Sequence, residues 1–84
     1  MNAKNRKVLS SIFHNPVKSD LPWKEVENLL KAIGGEVSQG RGSRVRVALN
    51  GVRAVFHRPH PQKITGKGAL LSVRRFLITA GIKL

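Results

Sequence analysis

GSRVRVALNGVRAVFHRP, residues 42–59, alternates apolar and cationic side chains on both sides of an Asn-Gly pair, with four arginines, a histidine and no acid. Asn-Gly between two alternating runs is the strongest short hairpin signal, because both residues accept the positive φ of a type I′ turn. With Asn50 and Gly51 as the turn, the strand partners are determined. Leu49 faces Val52, Val47 faces Ala54 and Val45 faces Phe56, six apolar residues on one face. The other face sets Ala48 against Arg53, Arg46 against Val55 and Arg44 against His57. A slip of one residue would bury the arginines, so the pattern supports its own register. One face of the hairpin belongs to a core, and the other presents Arg44, Arg46, Arg53 and His57 to solvent.

Working outward, Glu36 to Gln39 reads as a short strand ahead of the hairpin. Val8, Leu9, Ile12 and Phe13 form one helical face over Lys4 to Phe13, stopped by His14-Asn15-Pro16. A second helix is expected near Asp20-Leu21-Pro22-Trp23, with Asp20 as cap and Pro22 in the first turn. Its apolar stripe is Val26, Leu29, Leu30 and Ile33, and Gly34-Gly35 ends it. Residues 58–68, RPHPQKITGKG, read as a loop punctuated by Pro and Gly. A last helix is expected from Ala69 to Ala80, with Leu70, Val73, Phe76 and Leu77 inward and Gly81 at its end. The order α-α-β-β-β-α predicts an α+β domain: a three-stranded antiparallel sheet with helices on one face. Residues 1–21 form an N-terminal helical extension and residues 22–84 the main domain.

The 84 residues carry 16 Lys and Arg against four Asp and Glu, a net charge of +12. Charge of one sign at this density repels itself and calls for a polyanionic or acidic partner. Nucleic acid is favoured, because neutralised phosphates release counterions. An anionic membrane fits less well, since the arginines lie along strands rather than on one amphipathic helix. The chain has no cysteine, so disulfides and thiolate metal sites are excluded. With no long apolar run, a soluble cytoplasmic protein is expected, with no membrane partner.

From Trp23 to Leu84 the chain resembles the HicA toxins of bacterial toxin–antitoxin systems. The resemblance rests on LLKAIGGE at a helix end, Gly42-Ser43 opening the first long strand, and a His-Pro turn at His60-Pro61. It continues in the basic loop QKITGKGAL and the closing AGIKL. It implies a double-stranded-RNA-binding-domain-like fold and a ribonuclease that degrades messenger RNA. It also implies a cognate HicB-like antitoxin that holds the toxin inactive. In the family the Gly-Ser pair is followed by a histidine taken to be catalytic. Here that position is Arg44, which stays protonated and is no general base at neutral pH.

The hairpin register offers a replacement. His57 is the cross-strand partner of Arg44, with Cβ atoms roughly 4.5–5.5 Å apart, so its imidazole can serve the same space. Metal-independent RNA cleavage needs a base for the 2′-hydroxyl, positive charge for the phosphorane and an acid for the leaving 5′-oxygen. His57 is the candidate base and His60 the candidate acid, although a His beside Pro also serves simply to order a loop. Arg44, Arg46 and Arg53 are candidate phosphate ligands. Lys63 and Lys67, leading into the last helix, suit a backbone-phosphate contact, or equally a solvated basic loop. No cofactor or metal is expected: His57 and His60 have no carboxylate beside them, and Asp20, Glu25, Glu27 and Glu36 are assigned to the region of the second helix. Gly66 to Ala69 lacks P-loop spacing. His14 is given no function, and Trp23 is read as a core or helix-start residue rather than a base platform. A binding module of the same fold, without cleavage, is the alternative.

Overall fold

The computed structural model describes residues 1–18, 20–60 and 63–84. Pro61 of the His-Pro turn and Gln62 of the basic loop lie outside them. The elements in order are α1 (Ala3–Phe13), β1 (Leu21–Pro22), α2 (Trp23–Ala32), β2 (Glu36–Gln39), β3 (Arg44–Leu49), β4 (Val52–His57), β5 (Ile64–Thr65) and α3 (Lys67–Thr79). β2, β3 and β4 form an antiparallel sheet with β3 in the centre, and the helices cover one of its faces. This is the α+β architecture expected from the residues and implied by the resemblance.

The hairpin has the expected register: Arg44 with His57, Val45 with Phe56, Arg46 with Val55, Val47 with Ala54, Ala48 with Arg53 and Leu49 with Val52. Asn50 and Gly51 both take positive φ, 51° and 80°, as a type I′ turn requires. Asn50 does a second job, because its Nδ2 donates to the Ala80 carbonyl at 2.8 Å. The hairpin tip is thereby tied to the end of α3. On the inner face Val45, Val47, Leu49 and Phe56 are buried against Trp23, Val26, Leu29, Leu30, Leu70, Val73, Phe76 and Leu77. Phe56 sits between two rings, with centroids 6.1 Å from Trp23 and 5.7 Å from Phe76, the separations favoured by tilted and edge-on aromatic pairs.

The N-terminal helix joins this core. Val8, Leu9, Ile12 and the following Val17 are buried in the same cluster. Arg74 of α3 fastens the helix end: its Nε donates to the Ile12 carbonyl at 2.7 Å and its Nη2 to that of His14. These carbonyls have no partner within α1, so a guanidinium from another helix supplies the missing donors. His14 itself sits at that end with Nδ1 2.8 Å from the Pro16 carbonyl.

Three local expectations are corrected. Asp20 does not cap α2. It sits at φ 67°, and the helix begins at Trp23 with Pro22 in the cap position and no side-chain cap. The first helical N–H, that of Trp23, donates instead to the Lys63 carbonyl at 3.0 Å. The stretch read as a loop contains β5, which pairs antiparallel with β1 through Leu21–Thr65 and Pro22–Ile64. α3 starts two residues ahead of Ala69, at Lys67 after Gly66. The end of α2 follows its sequence closely. Gly34 at φ 98° and Gly35 donate to the carbonyls of Lys31 and Leu30, the double closure of a Schellman motif. A Cβ on Gly35 would lie 2.6 Å from the Leu30 oxygen, so that pair admits no larger residue without moving the helix end.

Candidate nucleic-acid interface

The outer face of the sheet is built by the period of two along each strand. Its side chains form three cross-strand rows: Glu36, Ala48 and Arg53; Ser38, Arg46 and Val55; and, at the open end of the hairpin, Arg44 and His57. Arg44, Arg46, Arg53 and His57 are all exposed. Glu36 opens β2, as expected, and places one carboxylate at the corner of the cationic face farthest from His57. Arg46, Arg53, Glu36 and Ser38 line a shallow depression of about 530 Å³ on this face.

Arg44 and His57 stand at the edge of the sheet nearest the loop that joins β2 to β3. That loop closes tightly: the Gly40 N–H donates to the Arg44 carbonyl at 2.8 Å. A Cβ on Gly40 would come within 3.1 Å of the Arg44 Cβ, so glycine lets the loop lie directly against the arginine stem. The ladder continues one rung beyond Arg44 and His57, where the Arg58 N–H donates to the Ser43 carbonyl at 2.8 Å.

His60 and Lys63 are not on the outer face. They line a cleft of about 880 Å³ between the start of α2 and the ends of β3 and β4, together with Trp23, Glu27, Ser43 and Arg58. The structure thus brings His57 together with the three arginines and sets His60 and Lys63 in a neighbouring site round the strand end. Lys67 is exposed as the first residue of α3 and does not line the cleft. Trp23 is buried and its indole Nε1–H donates to the Glu27 carboxylate, so its role is in the core. Arg58 is the cation that reading the sequence for alternation passes over: it follows the last strand residue and its side chain turns inward. Among the described residues no three His, Asp or Glu side chains gather as a metal-binding group. No helix among them is long and apolar enough to cross a membrane.

Residues 23–82 match the family model described as HicA toxin of bacterial toxin–antitoxin. Over 56 residues, 67% of this chain, the sequence is 41% identical to a curated protein of Mycoplasma mobile named phosphate import ATP-binding protein PstB. The chain spans only 18% of that protein's length. No solved structure matches.

Proposed function

The chain belongs to the HicA toxin family of bacterial toxin–antitoxin systems, and from that premise we propose that it is an endoribonuclease that cleaves messenger RNA without a metal ion. The carrying observation is the Arg44–His57 pair on an exposed cationic face. The resemblance implies a catalytic histidine at position 44, and a histidine is available directly across the ladder from it. His57 takes the proton from the ribose 2′-hydroxyl, and that oxygen attacks the adjacent phosphorus. Arg44 and Arg46 hold the phosphate and stabilise its developing charge, with Arg53 extending the backbone contact. The 5′-oxygen leaves with a proton from an acid, for which His60 is the candidate once the RNA reaches round the strand end. Lys63 and Lys67 add contacts to the phosphate backbone. Trp23, Phe56 and Phe76 are buried in the core, so binding rests mainly on charge, with weak sequence preference and strong salt dependence. An antitoxin of the HicB type, acidic where it meets this face, would cover Arg44, Arg46 and His57 and block binding and chemistry together. The setting is the cytoplasm, where messenger RNA is translated.

The test is cleavage of a long RNA by purified protein in excess chelator, beside His57→Ala and Arg44→Ala. Cleavage by the wild type and its loss in His57→Ala, with RNA still bound, is the expected result. One observation favours a second reading: Arg44 occupies the family's histidine position, as a protein that had kept the fold and lost the chemistry would show. Tight, salt-sensitive binding with no cleavage even by the wild type would establish that reading.

A further inference from the structure

Arg58 takes no part in the reaction just described, yet its side chain lies beside a carboxylate in the neighbouring cleft. It follows His57 by one residue, so its side chain turns to the opposite face of the ladder, toward α2. There its Nε is buried, 4.0 Å from Glu27 Oε2 and without a hydrogen-bond partner among the described residues. Glu27 is in turn held by the indole N–H of Trp23. The Arg58 side chain nevertheless remains 39% exposed, against 13% for Glu27, and it lines the cleft. Beyond the buried Nε, the fork remains free to grip a planar or tetrahedral oxyanion.

We propose that this cleft is a phosphate subsite for single-stranded RNA, with Arg58 as its clamp and the Trp23–Glu27 pair positioning it. The inference rests on the proposed function, because the strand that occupies the cleft is the one presented to His57. Three further observations converge on an anion. Lys24 and Lys63 also line the cleft, so cations outnumber its one carboxylate. The first turn of α2 opens onto it at Pro22, Trp23 and Lys24. The Trp23 N–H is taken by the Lys63 carbonyl, but the turn has no side-chain cap, so the helix end adds some positive potential there. The Arg58–Ser43 hydrogen bond makes the cleft the next rung after Arg44–His57. The two sites therefore sit one ladder step apart on opposite faces. A duplex is a stiff rod that lies along one face, whereas a single strand can turn round the strand end and place one phosphate in each.

The experiment uses the full chain and a short 2′-O-methyl single strand, which binds but lacks the hydroxyl needed for cleavage. Its affinity is measured by fluorescence anisotropy against NaCl concentration for the wild type, Arg58→Ala, Arg58→Lys and Lys24→Ala. One lost phosphate contact lowers the slope of log affinity against log salt by about 0.7, and that is the expected change for Arg58→Ala. Arg58→Lys should restore the slope with weaker binding, since lysine keeps the charge without the fork. Exposed Lys24 tests the same cleft without disturbing Glu27. The chain has one tryptophan, and its indole N–H resonance should shift when the strand is added to wild type and stay in place in Arg58→Ala. Unchanged slopes in both Arg58→Ala and Lys24→Ala, with an unmoved indole resonance, would overturn the subsite. Equal dependence on Arg58 for the matching duplex would overturn its assignment to single strands. Loss of antitoxin capture alone, with RNA binding intact, would overturn it in favour of a protein partner. Because the probe cannot be cut, failure of cleavage leaves this result readable, and a dead subsite leaves the role of His57 readable.

Discussion

Arg44 and Arg58 flank the same strand end and differ in nearly everything else. Arg44 stands exposed on the open face, with His57 across from it and Arg46 two residues along. Arg58 lies on the helix side, its Nε buried beside a carboxylate that is itself hydrogen-bonded to an indole. An exposed arginine is easily displaced and reorients with its ligand, so a row of them supplies attraction over distance and little geometry. An arginine whose stem is partly buried has lost some of its freedom in advance, so it would define more closely where an oxyanion sits. The difference teaches that net charge and placement are separate contributions, and that this molecule divides them between two faces of one sheet.

The sharpest way to break the comparison is at His57. His57→Ala should reduce single-turnover cleavage by about 10²–10⁴-fold and leave the affinity for an uncleavable strand unchanged; a smaller loss would place the base elsewhere. Arg74→Ala asks whether an arginine used only for structure can be told from both kinds. Removing its hydrogen bonds to the Ile12 and His14 carbonyls should cost about 2 kcal/mol in urea unfolding, with the salt slope of RNA binding untouched. On the open face, Arg46→Ala and Arg53→Ala should each lower that slope by about 0.7 and change unfolding stability by no more than about 0.5 kcal/mol. The smallest effect belongs to the face's single acid. Glu36→Gln should strengthen RNA binding modestly in low salt, and the gain should vanish as salt is raised and the Debye length shortens.

The hairpin was legible in full, register included, because two constraints coincide there: a turn that only certain residues make and a period whose slip would bury arginine. The helix ends at Gly34 and Gly81 were legible for a similar reason. What lay hidden had no period to reveal it. The β1–β5 pair is two residues long on each side and joins parts of the chain distant in sequence. The same pairing explains the misplaced cap, since β1 takes up the two residues before Trp23 and leaves Asp20 ahead of the strand rather than at the cap position. For the interface, alternation identified Arg44, Arg46, Arg53 and His57 as one surface. It could not place His60 and Lys63, which lie between β4 and β5, nor single out Arg58, whose significance depends on Glu27 arriving from α2.

The bond from Arg74 to the end of α1 spans 62 residues, and that span sets a clock during synthesis. α1 is made well before the side chain that closes its carbonyl end. At about 5–20 residues per second, the first helix waits some seconds for its fastening. The hairpin's inner face waits for α3 as well, because Val45, Val47, Leu49 and Phe56 are buried against Leu70, Val73, Phe76 and Leu77 of that helix, and an isolated two-stranded hairpin is at best marginally stable in water.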